Sequence, residues 1–299
     1  MEKDIAVYDI AIFGNYTKDT IVSPSGTRYV DGGGFNYGAH AAALLGLRVA
    51  AVTRLAREDF RVVEALEQVG IDVFATATST STHMRLEYPT SNLDDRVLYC
   101  TKFAGPYSLD QFEGLRAKAF IINASIRDEV PLEVIQGLRE KDALLVADVQ
   151  GFIRVIAPNG RLVYEEWPEK RPVLSLLDAL KTDAVEAEFL TGETNIKTAA
   201  HVLADYGPRE VVLTHRDGLL VYADGQFHEV AFFPEKLVGR SGRGDTCISA
   251  YIAKRFTAPP AEATIWAAAV TSLKMESEGP IRRELHEVED LIARKYRRD

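Results

Sequence analysis

Gly239-Arg240-Ser241-Gly242-Arg243-Gly244-Asp245-Thr246-Cys247 runs directly into the apolar stretch Ile248-Ser249-Ala250-Tyr251-Ile252-Ala253. Its core is Gly-x-Gly-Asp opening a helix. The glycines let the backbone turn sharply and come close to a ligand. The helix behind them offers unpaired amides and the positive end of its dipole, a ready site for an anion. A carboxylate beside an anion loop is repulsive unless it has a task. Taking the proton from a hydroxyl that attacks a phosphate is such a task. An ordinary Gly-rich turn capping a helix accounts for the same residues equally well, so the surrounding chain has to decide.

Outward from this loop, strand-like and helix-like segments alternate. Apolar strands are expected over 5–13, 49–53, 71–75, 119–123, 143–149, 177–182, 210–213 and 219–222. Helices are expected over 60–70, 131–139, 261–275 and 287–295. Asp31-Gly32-Gly33-Gly34-Phe35-Asn36 enters an Ala-rich helix closed by Gly46. Pro24-Ser25-Gly26 splits two short extended pieces, a hairpin signal. Between 76 and 100 the texture changes to Ser-Thr runs and short alternating segments, which suggest a second, smaller sheet. The fold class is therefore α/β: an αβα sandwich with a mostly parallel central sheet, plus a small accessory β-sheet. One domain over 1–299 is expected, without repeats, low-complexity tracts or linkers. Asp148 falls at a strand end, where open α/β sheets hold ligand groups.

The chain has 299 residues, 46% of them hydrophobic, enough for a sizeable core. A net charge of −9 and the lack of a long basic run argue against a nucleic-acid surface. No stretch is long enough to span a membrane and the N-terminus has no signal-type apolar run, so a cytoplasmic protein is expected. The two cysteines, Cys100 and Cys247, read as free thiols. Cys247, near a helix start, could be acidified or simply packed. Six histidines without metal-type spacing give no transition-metal site.

The loop at 239–247 resembles the second signature of the ribokinase (PfkB) family of carbohydrate kinases, Asp-Thr-x-Gly-Ala-Gly-Asp-x-Phe. The resemblance implies that Asp245 is the catalytic base and that the Gly242, Arg243 and Gly244 amides form an anion hole. Gly239 stands in place of the family's Asp and Arg243 in place of its Ala. With Gly279-Pro280 replacing the family's C-terminal Ser pattern, little response to potassium is expected. The glycine loop resembles the first signature, Gly-Gly-x-x-x-Asn-x-Ala. Gly32, Gly33 and Gly34 are thus implied on the substrate, with Asn36 one place ahead of the position where the family's Asn falls, Tyr37. Gly14-Asn15 followed by Asp19 matches a substrate-hydroxyl motif, and the resemblance implies that the small sheet, built from about 16–32 and 76–105, is a lid over the sugar.

Asp183-Ala184-Val185-Glu186 resembles Asn-x-x-Glu, implying Asp183 and Glu186 near ATP, with Glu186 acting on Mg2+ largely through water. Thr214 and Gly218 match Thr-x-Gly-x-x-Gly beside the nucleotide. Ala268, on the Ala-rich helix, is implied against adenine. The segment 146–155 looks like the inositol-kinase branch, and its Arg154 either faces phosphates or makes a surface ion pair. His83, Arg85 and Asp95 either touch substrate or lie on solvated strand faces. The expected activity is ATP- and Mg2+-dependent phosphorylation of a small neutral polyol, a sugar or inositol. Asp19 would repel a phosphate already on the substrate. Nucleoside or sugar-phosphate kinases on the same scaffold are the nearest rivals. A non-catalytic ligand-binding regulator is a rival of another class, which an intact Asp245 disfavours. The resemblance also admits a homodimer formed through the lid.

Overall fold

Alternation of buried apolar strands with amphipathic helices builds one large sheet covered on both faces. The computed structural model describes residues 7–90 and 96–296. In chain order the first half contains β1 (Val7–Phe13), β2 (Thr17–Ser23), β3 (Gly26–Gly32), α1 (Gly34–Leu44), β4 (Val49–Ala56), α2 (Arg61–Glu67), β5 (Asp72–Thr78), β6 (Thr82–Glu87), β7 (Val97–Lys102) and β8 (Arg116–Ile122). There follow α3 (Leu132–Arg139), β9 (Leu144–Asp148), α4 (Gln150–Ile153), β10 (Arg154–Ile156), β11 (Leu162–Tyr164), α5 (Lys170–Leu174), β12 (Ala179–Asp183), α6 (Ala184–Thr191) and α7 (Ile196–Ala204). The chain closes with β13 (Glu210–Thr214), β14 (Gly218–Ala223), β15 (Gln226–Ala231), α8 (Arg243–Arg255), α9 (Pro260–Lys274) and α10 (Leu285–Lys295).

The main sheet has nine strands in the order β15-β14-β13-β12-β9-β8-β1-β4-β5. Its pairs from β5 to β13 are parallel, and only β14 and β15 run antiparallel at one edge. Parallel strands buried on both faces need continuous apolar runs. Val146, Ala147, Val211, Val212 and Leu213 supply them, each fully buried. One core lies between the sheet and α1, α8, α9 and α10; the other lies on the α3–α7 face.

β3-β2-β6-β7 form the separate small sheet, with its own cluster of Ile21, Met84, Leu86, Tyr88 and Cys100. Pro24-Ser25-Gly26 makes the expected turn between β2 and β3. An unexpected addition is the β10–β11 hairpin. It reaches the small sheet through a Tyr99–Arg161 bridge and a hydrogen bond from the Cys100 amide to the Gly160 carbonyl, 2.9 Å. Both cysteines are free and buried. Burial pushes the Cys247 thiol up to about 11, so it is a packed residue and not an acidified one.

Candidate active site

The strands of the main sheet end beneath the start of α8, and the small sheet stands over the same point. α8 begins at Arg243 with Gly242 as its cap at φ 73°, a left-handed conformation that suits glycine. A side chain there would enter the ring of Tyr37. Asp245, in the first turn, is 7% exposed, and its Oδ1 has no hydrogen-bond partner among the described residues. Burial raises its pKa above the usual carboxylate range, with Lys181 and Arg154 pulling the other way. A β-carbon on Gly34 would come within 2.6 Å of Asp245 Oδ1, so the start of α1 must be bare for the carboxylate to fit.

Asp245 shares a cavity of about 80 Å3 with Asp19, Gly33, Gly34, Tyr37 and Ser241. Asp19 rises from β2 and is 6% exposed, with Oδ1 unpartnered among the described residues. Gly32 lies beside it; a β-carbon there would meet the Asp19 carboxylate and Thr17 Oγ1. Burial pushes the Asp19 carboxyl up to about 7. Two carboxylates aimed into a small polar cavity suit hydroxyl donors, because charged acceptors make the stronger hydrogen bonds. The raised pKa has a stability consequence. Between the ordinary carboxylate range and about 7 the native state binds the extra proton, so stability falls as pH rises through this window and the full cost is present above it. Asp19→Asn is therefore expected to stabilise the protein at pH 8, by up to about 4 kcal/mol, and to have little effect near pH 4. Urea unfolding at the two pH values checks this; equal stability at pH 8 would contradict it.

The cavity opens into a cleft of about 560 Å3. Arg96, Arg154, Lys181, Arg216, Arg240 and Arg243 all line it, against Asp183 and Asp245. Arg154 opens β10 and faces the cleft, and it also pairs with Glu186 Oε1 at 3.2 Å. Lys181, on β12, lies 3.1 Å from Asp148 Oδ2 and 3.9 Å from Glu186 Oε2. Asp148 is fully buried at its strand end. The result is a buried network of two cations and two carboxylates under the α8 N-terminus.

Several expected residues take other positions. Asn36 donates to the Asp31 carbonyl at 3.1 Å and lines a different cavity with His40 and Arg61; Tyr37, one helical position on, turns into the small cavity beside Asp245 instead. Ala268 is fully buried in the core and lines neither part of the cleft. Gly218 opens β14 and is kept bare by the Val230 carbonyl and the His215 ring; Thr214 and His215 line the cleft, Gly218 does not. The Arg243 amide donates to the Arg240 carbonyl at 3.2 Å, leaving Gly244 and Asp245 as the helix-start amides without intrahelical partners.

Asp183 caps α6, accepting from the Glu186 amide at 2.8 Å, and it also lines the cleft. Glu186 returns the capping bond at 2.8 Å and spends its other oxygen on Arg154. It is fully buried and flanked by two cations, so it does not fit as a direct Mg2+ ligand. No acidic or histidine cluster able to hold a metal occurs among the described residues. Arg85 pairs with Glu87 and, like His83, points away from the cavity; Met84 and Leu86 of the same strand line it. Asp95 lies outside the described residues.

Glu129, Lys181 and Lys274 were not foreseen. Glu129 is fully buried and accepts from the Asn15 and Ser125 amides, at 2.6 and 3.0 Å. It fixes the two turns that hold Asn15 and Ser125.

A model of the pfkB family of carbohydrate kinases matches residues 2–286. The chain belongs to that family. As a pfkB kinase it is a phosphotransferase with an alcohol group as acceptor. A solved pyrophosphate-dependent kinase in the ribokinase family, complexed with a pyrophosphate analog and myo-inositol, is 33% identical. The match covers 94% of this chain and 99% of that one with a TM-score of 0.87. Cytidine kinase of Thermococcus kodakarensis is 28% identical over 262 residues, 82% of this chain and 87% of its own. The ribokinase of Arabidopsis thaliana, complexed with ribose and ATP, is 19% identical, covers 96% and 99% of the two chains, and has a TM-score of 0.76, a likeness of fold. No helix among the described residues of this pfkB kinase is long and apolar enough to cross a membrane.

Proposed function

We propose that this kinase transfers a phosphoryl group from inorganic pyrophosphate to a hydroxyl of a neutral polyol of the inositol type. The observation that carries the donor half is the cationic lining of the large cleft: six Arg and Lys side chains at the start of α8, in a chain of net charge −9. Pyrophosphate has no apolar part, and charge with helix amides is all its recognition needs. ATP, the donor expected from the sequence, would also call for an apolar slot for its base. Ala268, the residue expected to provide one, is closed in the core. The 33% identical pyrophosphate-dependent relative supports the same choice.

The acceptor half rests on Asp19 and Asp245. The hydroxyl loses its proton to Asp245 as its oxygen bonds to the nearer phosphorus. The bridging P–O bond breaks, and orthophosphate leaves into the cationic cleft. The helix-start amides and Lys181 hold the charge on the transferring group, so catalysis is positioning and electrostatics. Mg2+ would enter with the donor, since it is bound mainly through phosphate oxygens and water. The small sheet acts as a lid that keeps out water, the competing acceptor.

The test is a matrix of two donors, pyrophosphate and ATP with Mg2+, against myo-inositol, ribose, cytidine and fructose 6-phosphate. Pyrophosphate with myo-inositol is expected to give the highest kcat/KM, at least about 100-fold above ATP with the same acceptor. ATP matching pyrophosphate would refute the donor reading. Preference for fructose 6-phosphate would refute the charge argument drawn from Asp19. Preference for cytidine would leave that argument standing and remove inositol.

A further inference from the structure

Lys274 is the last residue of α9, and it is fully buried. Its Nζ finds no hydrogen-bond partner among the described residues. It lies 5.2 Å from the centroid of the Tyr37 ring, within cation–π range. The same ring fills the space that a side chain on Gly242 would need, so ammonium and anion loop both lie against it. Tyr37 also lines the acceptor cavity beside Asp245.

An unpaired buried ammonium is costly, and an apolar residue of similar volume would remove the cost. The charged groups that bear on it are Asp245 and Arg243 of α8, Glu278 after α9, and Arg96 ahead of β7. Tyr37 faces it from α1. Glu278 does not neutralise it alone, because its Oε1 is held by Arg28 at 2.8 Å. The same carboxylate lies 3.0 Å from where a β-carbon on Gly239 would be. Gly239 itself offers no carboxylate to a cation from solution, whereas α9 delivers one that is covalently attached.

We infer that Lys274 is a built-in cation of the active site, placed behind the Gly242 loop across the face of Tyr37, where it supports the negative charge that gathers at the start of α8 during phosphoryl transfer. This inference rests on the kinase reading above. Lys274 touches neither substrate nor reacting atoms; it acts through Tyr37, the loop and Asp245, whose carboxyl it helps to keep ionised. Charge in a water-excluded site acts at longer range than in solvent. Burial drives the ammonium pKa down to about 8, so the charge is present at neutral pH and lost as pH rises through that value. Turnover should fall along the same limb.

The experiment compares the parent with Lys274→Met, Lys274→Arg and Lys274→Ala, using the best donor–acceptor pair from the matrix. Lys274→Met is expected to lose at least about 30-fold in kcat, with the acceptor KM changed by less than about threefold and Tm equal to or above the parent's. The alkaline limb near 8 should disappear in Lys274→Met and move upward in Lys274→Arg. Ammonium ions should restore part of the Lys274→Ala activity where tetramethylammonium at the same ionic strength does not, and the parent should respond little to potassium. Retained kcat in a folded Lys274→Met would overturn the inference, as would a loss accompanied by a lowered Tm and no rescue.

A readout free of turnover separates this from the kinase reading. The Lys274 side-chain NMR titration of the parent should move upward by about one pH unit when imidodiphosphate is bound. An unmoved titration with the anion bound refutes the built-in cation whatever the enzyme phosphorylates. A moved titration, with no turnover from any pair in the matrix, upholds the cation and sinks the reaction assigned to it.

Discussion

Asp245→Asn is expected to lower kcat by at least about two orders of magnitude, the usual worth of a positioned general base. The change is close to isosteric, and the carboxylate packs against Gly34 within 2.6 Å of where a β-carbon would sit, so the cavity should keep its shape. Folding should survive and is expected to gain slightly at neutral pH. Asp245 is a buried carboxylate whose pKa is raised by burial, so its charged form costs stability above that pKa and the amide does not. Imidodiphosphate should bind the variant as well as or better than the parent, since a negative charge next to the donor is gone. Steady-state kcat and calorimetric binding measured on the same preparation decide the matter. Parental turnover with normal anion binding would remove Asp245 from the role of base.

Lys181→Met should cost more stability than any other single change at the site. Lys181 is 4% exposed and compensates both Asp148 and Glu186. Taking one partner out of a buried ionic cluster leaves uncompensated charge, typically worth about 3–5 kcal/mol. Arg154 still serves Glu186, so the burden falls on Asp148, which is fully buried. Burial already raises the Asp148 pKa and Lys181 is the main group lowering it. Without Lys181 the native state takes up a proton at a higher pH than before. The penalty is then full above that folded pKa and relieved as pH falls toward the ordinary carboxylate range. Urea unfolding should show a gap from the parent that narrows as pH is lowered. A gap independent of pH would mean that lost packing, not charge, is responsible. Donor affinity should fall as well, because Gly244 brings the α8 start against this ammonium.

The loop at 239–247 and the strand–helix alternation made the fold legible, because burial on both faces of a parallel sheet forces continuous apolar runs that turn residues punctuate. Asp245 was legible as a carboxylate beside glycines, a combination with few structural uses; Asp19, well past Gly14, was singled out only through the resemblance. Gly33 and Gly34 line the small cavity, and Gly32 lies beside Asp19. Asn36 and Tyr37 could not be separated by type alone; only the phase of α1 relative to Asp31 assigns the tyrosine to the cavity. Ala268 failed because a small helical residue serves close packing as readily as a ligand slot. Lys181 and Lys274 sit within apolar segments, and a lysine in an apolar strand or helix is a signal in itself, since Lys is rarely buried without a purpose. The β10–β11 hairpin also left a trace, the Asn159-Gly160 dipeptide, which is a standard hairpin turn.

That hairpin adds a lateral anchorage to the small sheet. Chain continuity already tethers it at β1–β2, β3–α1, β5–β6 and β7–β8. The lateral tether runs through Tyr99–Arg161 and the Cys100–Gly160 hydrogen bond. β7 can therefore move only by breaking this lateral contact or by dragging the hairpin along. The first residue of that anchor is Arg154, which lines both the small cavity and the large cleft. Displacement of β7 is therefore geared, through the hairpin, to the position of a cation shared by the two.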